Sequence, residues 1–278
     1  MIQHLLQLIW NQRKQNAWLW AELLLVSVFL WFLVDYLYVM GRTYTAPLGF
    51  DIRHTYSIVI SSLSERSPDY IPKEKRERPD GVHLLTALDR IRTYPGVESA
   101  CLTDGGMPYY MGSRNLVWRI DTLQVPCRYA FVTPEFFDVF RIYDKDGKTA
   151  SLKRAIEDNN SIVISADVET MNPGLSLLGQ KAYRGNVTDE IEETIRGISV
   201  PIRRHEYTKA EPNVYRALRL SRMEEGYYEG MIDAVRLCVR VRPDVDNADF
   251  PARFRKDMAE QLRLGNLYLL DVQPLSYI

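Results

Sequence analysis

The sequence is poor in cysteine and histidine, and it carries no excess of charge of either sign. Its three cysteines, Cys101, Cys127 and Cys238, are too few and too scattered in 278 residues for a disulfide scaffold, and no Cys-x-x-Cys or Cys/His metal spacing occurs. At most one bridge can form, between any two of the three. The 35 basic side chains are matched by 36 acidic ones, which excludes a strongly cationic nucleic-acid binder. The four histidines, His4, His54, His83 and His205, stand singly, and no H-E-x-x-H, G-x-S-x-G, G-x-x-x-x-G-K-[ST] or G-x-G-x-x-G motif is present. No catalytic, cofactor-binding or metal-binding residue is therefore assigned, and no enzyme activity is expected of this chain. With 15 Gly and 14 Pro the chain is neither collagen-like nor low-complexity, and 46% apolar residues suffice for a folded core.

Apolarity is concentrated at one place. Ala17 to Met40 holds only Glu22 and Asp35 as ionisable residues, and as a helix it spans about 36 Å, enough for a bilayer core. Trp18, Trp20, Tyr36 and Tyr38 stand near its ends, as interfacial aromatics do. A cleaved signal peptide is the competing reading, but the run is long for one and no A-x-A-like site follows at Gly41 to Pro47. Arg13 and Lys14 precede the span without a neighbouring acid, whereas Arg42, Asp51 and Arg53 follow it, which puts the N-terminus in the cytoplasm. Residues 1–16 carry Ile2, Leu5, Leu6, Ile9 and Trp10 at helical spacing, a segment able to lie on the inner membrane surface, with an insertion flank as the plainer reading. Glu22 and Asp35 either face a bundle of neighbouring helices or reach the headgroups.

Beyond the span, the pattern is α+β. Tyr56 to Leu63 reads as a strand, Gly81 to Tyr94 as a helix with Leu84, Leu85, Leu88 and Ile91 on one face, and Val97 to Leu102 as a strand. Ala234 to Arg242, a helix capped by Asn247 and running to about Leu264, and Asn266 to Val272 repeat that order. These two units predict a split two-unit βαβ subdomain from 41–104 and 231–278. The intervening 105–230 is expected to be an inserted strand-rich subdomain, with strands at Asn115 to Ile120, Val125 to Val132, Ser161 to Ser165 and Glu193 to Ile202. In Thr133 to Phe140, Thr133 is expected to cap a short helix with Pro134 at its first position and Phe136, Phe137 and Phe140 inward. Asp104-Gly105-Gly106 reads as a turn rather than a catalytic carboxylate. Lys73 to Arg78 reads as a solvated linker. Asn186-Val-Thr188 and Asn159-Asn-Ser161 match the glycosylation acceptor pattern.

Several stretches together resemble the periplasmic core domain of MacB-like and FtsX-like ABC transporter permeases of the bacterial inner membrane. Tyr129 to Ile142 is similar to the family's strand leading into a Thr/Ser-Pro-x-Phe/Tyr-Phe helix. Ser161 to Asp167 followed by Leu177-Leu-Gly-Gln-Lys181 is similar to its strand, short helix and Leu-Gly-Lys-like turn. Glu211-Pro-Asn-Val-Tyr215 looks like the acidic-Pro-x-x-Tyr stretch that follows there. The resemblance covers residues 17 to 278. It implies a non-catalytic permease subunit that couples ATP hydrolysis in the cytoplasm to movement or export of peptides, lipoproteins, toxins or drugs on the periplasmic side. It implies as partners a cytoplasmic ABC ATPase subunit, a second permease copy or paralogue, a periplasmic adaptor and membrane lipid, with no nucleic acid. Leu5, Leu6, Ile9, Trp10, Arg13 and Lys14 would then rest near the ATPase, and Glu22 and Asp35 would contact a bundle. Unlike MacB, the chain has no ATPase domain ahead of its span, so the ATPase is expected as a separate chain. Family permeases have three more spans after this domain, so the sequence is expected to be a truncated permease. The alternative is a single-pass membrane-anchored sensor or ligand-binding module. A membrane-anchored hydrolase would need Asp104.

Overall fold

The computed structural model describes residues 3, 7, 10, 14, 17–110, 112, 114–185 and 190–277. One 29-residue helix, α1 (Ala17–Thr45), comes first. It extends five residues past the expected Met40, with Thr45 Oγ1 donating to the Gly41 carbonyl at 3.0 Å in its last turn. It is long and apolar enough to cross a membrane, and none of its side chains is buried. The body, residues 48–205 and 209–278, is a separate unit. In chain order it contains β1 (Thr55–Ser62), α2 (Asp80–Arg92), β2 (Val97–Asp104), β3 (Arg114–Ile120), β4 (Leu123–Val132), α3 (Phe136–Val139), α4 (Ala150–Ala155), β5 (Ser161–Ser165), α5 (Asp167–Met171), β6 (Lys181–Arg184), β7 (Ile191–Ser199), β8 (Asn213–Ala217), α6 (Leu220–Glu224), β9 (Val235–Val241), α7 (Phe250–Met258) and β10 (Leu267–Pro274).

Four strands from the two ends of the body lie side by side in the order β10-β1-β9-β2, every neighbour antiparallel. Strands β1 and β2 therefore run the same way on either side of β9, and β9 and β10 the same way on either side of β1. Each strand-helix-strand unit leaves room for one strand of the other, which is the interleaved split βαβ arrangement. In α2, Leu84, Ala87, Leu88 and Ile91 recur at helical spacing and are all buried. Pro95 and Gly96, the latter at φ +91°, stop the chain from continuing as helix and turn it into β2. Phe250, Phe254 and Met258 of α7 join the same core against Ile58, Leu237 and Val239 of the sheet. Burial of each such side chain contributes about 1.5–3 kcal/mol. On the opposite face of the sheet, Phe136, Phe137 and Phe140 pack with Cys101 and Cys238, the first and last rings meeting edge to face at 4.9 Å.

The strands from 114 to 217 close on themselves. Pairings run β4-β3-β6-β7-β5-β8 and return from β8 to β4, so six strands form a barrel whose β5–β7 and β4–β8 contacts are parallel. Closure removes the open edges that a flat sheet would expose. Trp118, Ile120, Ile162, Ile164, Ile195 and Val214 fill its interior. Among the described residues, the strand pairing that joins the barrel to the four-stranded sheet consists of Thr103 with Val132 and Asp104 with Phe131.

Three local expectations are corrected. Thr133 does not cap the short helix: its Oγ1 accepts from the Leu102 N–H at 3.1 Å, continuing the β2–β4 pairing, and the helix starts at Phe136 after Glu135. The helix after Asn247 ends at Met258 rather than about Leu264, because Leu264 already pairs with Leu267 in the turn into β10. Arg76 in the charged linker is not simply solvated, since its Nη1 lies 3.1 Å from Asp80 and 3.5 Å from Glu229.

Candidate functional site

The chain enters the body through a strap, residues 48–54, with little regular structure but four anchors. The Leu48 carbonyl accepts from the Arg203 N–H at 3.0 Å, the Asp51 N–H donates to the Phe140 carbonyl at 2.8 Å, and the His54 carbonyl accepts from the Val241 N–H at 2.8 Å. The fourth anchor is a side chain. Arg240, the penultimate residue of β9 and wholly buried, donates Nε to the Val139 carbonyl at 2.7 Å and Nη1 to the Arg53 carbonyl at 2.7 Å, and Nη2 bonds the Asp51 carbonyl. A guanidinium suits this task because its fork carries five donors in one plane and stays charged. Burial lowers the Arg240 pKa and Arg141 adds to that, whereas Asp51 and Glu98 oppose it.

Two further features shape the strap. Gly49 has φ +84°, and a Cβ there would lie 2.1 Å from the Pro201 carbonyl oxygen, so both backbone conformation and space require glycine. Asp51 grips Arg53, its Oδ2 2.8 Å from Nη2. Burial alone would raise the Asp51 pKa, but hydrogen bonds from the Arg53 side chain and backbone, with Arg240 beyond, hold it below the usual carboxylate value. At the end of the strap, His54 adopts φ +60° and its Nδ1 lies 2.5 Å from Asp246 Oδ2, with the Tyr56 hydroxyl on the other oxygen of that carboxylate. The strap is thus bonded to β9, to the end of α3 and to the segment before β8.

Of the residues singled out in the sequence, Trp10 and Lys14 are exposed, while Leu5, Leu6, Ile9 and Arg13 lie outside the described residues. Glu22 and Asp35 are both exposed on α1. Thirteen residues of helix put them about 20 Å apart and on faces differing by roughly 140°, so they form no common site. Asp104 is 2% exposed and its Oδ2 meets Arg114 Nη2 at 3.0 Å, with the Tyr228 hydroxyl donating at 3.4 Å. Burial raises its pKa, while Arg114 and Tyr228 pull it back. It is a buried carboxylate paired with Arg114 at a strand end. Ser161 of the Asn159 acceptor motif is buried and donates to Asp158, and Asn186 to Thr188 lie outside the described residues. Among the described residues no three metal-ligating side chains come together. Sequence reasoning missed Arg240, which sat among Arg236 and Arg242 as one more polar member of an alternating strand.

No family model matches the sequence, and no curated protein matches it. Solved structures do match. The body is similar to a crystallised domain assigned to a permease protein from Porphyromonas gingivalis, at TM-score 0.51 and 19% identity over 81% of this chain and 92% of that one. It also aligns with the periplasmic region of MacB from Actinobacillus actinomycetemcomitans at TM-score 0.43 and 10% identity, over 83% of this chain and 94% of that one. A third match is the extracellular domain of the noncanonic ABC-type transporter YknZ from Gram-positive bacteria, at TM-score 0.42 and 11% identity, over 77% of this chain and all of that one. The body therefore shares the α+β fold of the Porphyromonas gingivalis domain and is preceded by an apolar helix.

Proposed function

We propose that the chain is the first membrane helix and periplasmic domain of a permease subunit in an ABC transporter of the MacB/FtsX type, carrying motion rather than catalysing a reaction. The observation that carries this reading is the fold shared with the Porphyromonas gingivalis permease domain over most of both chains. The strap supports it, because a helix displacement passed along the backbone reaches β9, an interior strand of the four-stranded sheet, through Arg240. On this reading the ATP-hydrolysing subunit is a separate cytoplasmic chain, a second permease copy or paralogue pairs with this one, and an adaptor and membrane lipid contact it. The cargo is a peptide, lipoprotein or drug met on the periplasmic side, and the chain itself hydrolyses nothing.

In this reading the segments 41–104 with 231–278 and 105–230 act as two lobes, whose strands pair where β2 meets β4. Leu5, Leu6, Ile9, Trp10, Arg13 and Lys14 face the membrane surface near the ATPase, and Glu22 and Asp35 meet other helices of a bundle. The test is affinity purification of the native gene product from solubilised membranes. Copurification of an ATP-hydrolysing chain, together with a product carrying further apolar spans, is the expected result. A single-span product with no ATPase bound would overturn the proposal and favour an anchored ligand-binding module.

A further inference from the structure

The barrel is not filled to its end. A cavity of about 190 Å³ opens at one mouth, walled on the barrel side by Trp118, Tyr129 and Phe131 and on the other by Tyr227 and Tyr228 just after α6. Barrel mouths are a recurrent place for small ligands, and an apolar space of about 150 Å³ accommodates a benzene ring. The rings already order one another: Trp118 and Tyr129 meet edge to face at 5.6 Å, and Tyr129 and Phe131 at 5.8 Å.

The charges on this wall are unequal. Four of the eleven lining residues are arginines, Arg184, Arg216, Arg219 and Arg222, and none is acidic. Beneath them lies one carboxylate, Glu193, 2% exposed. Arg216 Nε donates to its Oε1 at 2.7 Å and Trp118 Nε1 to its Oε2 at 3.4 Å. Arg184 Nε is 3.3 Å from the same Oε2, yet it is buried and makes no hydrogen bond. One acid therefore answers two cations. Arg219 reaches only the Asn159 carbonyl, at 3.4 Å, and the Arg222 guanidinium lies over the Tyr227 ring at 5.1 Å; neither has an ion-pair partner among the described residues. Burial depresses the Arg216 pKa, and Arg184 and Arg219 add to that depression while Glu193 opposes it. Uncompensated positive charge in a partly desolvated, ring-lined space is relieved by an incoming anion, which a guanidinium fork grips bidentately.

We propose that this barrel mouth binds a small aromatic acid, its carboxylate or phosphate held by Arg219 and Arg222 and its ring stacked among Tyr129, Phe131 and Tyr227. The inference goes beyond the transmitting role, because the site needs neither an ATPase nor a second permease copy, and a binding assay reports on it whether or not that role stands.

The test uses the full chain in detergent with 5-fluorotryptophan in place of its five tryptophans. Trp118 lines the cavity, and its fluorine resonance is assigned by its loss in Trp118→Phe. The probes are benzoate, phenyl phosphate, inorganic phosphate and benzyl alcohol. At least one of the two aromatic acids should shift the Trp118 resonance saturably, whichever binds more tightly naming the acid group. Affinity should fall at least tenfold in Arg219→Gln/Arg222→Gln and should weaken with added salt. Arg222→Gln alone, at an exposed position of α6, serves as a second variant, and an unchanged Trp118 resonance without ligand certifies the fold of either. No saturable shift up to about 10 mM of either acid, well beyond millimolar affinity, would overturn the proposal. So would benzyl alcohol binding as tightly as the acids, inorganic phosphate binding as tightly as phenyl phosphate, or full affinity in the folded arginine variants.

Discussion

Arg240 shows how much one side chain can hold when its donors all point at backbone. Replacing it by methionine keeps much of the volume but leaves the carbonyls of Asp51, Arg53 and Val139 without the donor each now has. Unmade hydrogen bonds in a buried place cost about 1–3 kcal/mol per group, so Arg240→Met should lower unfolding stability by about 3 kcal/mol or more. Arg240→Lys should recover only part of that, because an ammonium cannot reach three divergent carbonyls in a plane. Urea titration followed by circular dichroism checks both, and equal stability of Arg240→Met and wild type would remove the clamp. The cysteines belong to the same scale. Cys101 and Cys238 face each other across β2 and β9 as free thiols, and Cys127 is buried in the barrel. Burial, with Cys238 adding to it, pushes the Cys101 thiol far up, and burial pushes Cys127 up to about 12. All three should resist iodoacetamide at pH 8 in the folded protein and react once it is unfolded, as mass spectrometry would count.

Among the elements, the turn before α4 has a stability that follows pH in a definite direction. Asp144 Oδ1 accepts the N–H groups of Asp146 at 2.9 Å and Lys148 at 2.8 Å, and Oδ2 takes the Ser151 hydroxyl. Burial alone would raise its pKa, but those hydrogen bonds outweigh it and hold the carboxyl below the ordinary 3.8. A depressed folded-state pKa means a contribution present above the unfolded value and lost as pH falls through the folded one. Asp144→Ala should therefore cost about 1 kcal/mol at pH 7, and the gap to wild type should narrow below about pH 4. A gap that widened in acid would contradict the assignment. Elements with clear periodicity were legible without coordinates: β5 stands where its pattern put it, α2 lies within two residues of its expected ends, and α1 starts at Ala17 as expected but runs on to Thr45. Strand β8 was not read as a strand, because Asn213 to Arg216 are buried on both faces and show no alternation, and β6 is only four residues long. Barrel closure was illegible for another reason. It rests on the parallel pairing of β4 with β8, residues 128–132 against 213–217, and no local pattern encodes so distant a register. The clamp hid similarly, since burial of Arg240 depends on α3 covering its face of β9, which no local pattern announces.

For the whole molecule, the decisive question is which side of the membrane holds the body, and the buried thiols make it measurable. If Arg13 and Lys14 keep the N-terminus in the cytoplasm, as basic flanks do, the sheet and barrel stand on the opposite side, where a periplasmic cargo or a small acid could reach them. Because the three native cysteines are buried, a single added cysteine reports position over a silent background. Asp146→Cys lies in an exposed turn of the body, and Lys14→Cys in the exposed flank before α1. In intact spheroplasts a membrane-impermeant maleimide should label Asp146→Cys directly and Lys14→Cys only after permeabilisation. The reverse pattern would invert the topology, put the barrel mouth in the cytoplasm and remove the periplasmic reading of the fold. Labelling of both variants without permeabilisation would mean that α1 does not span, and would leave the strap with no membrane motion to transmit.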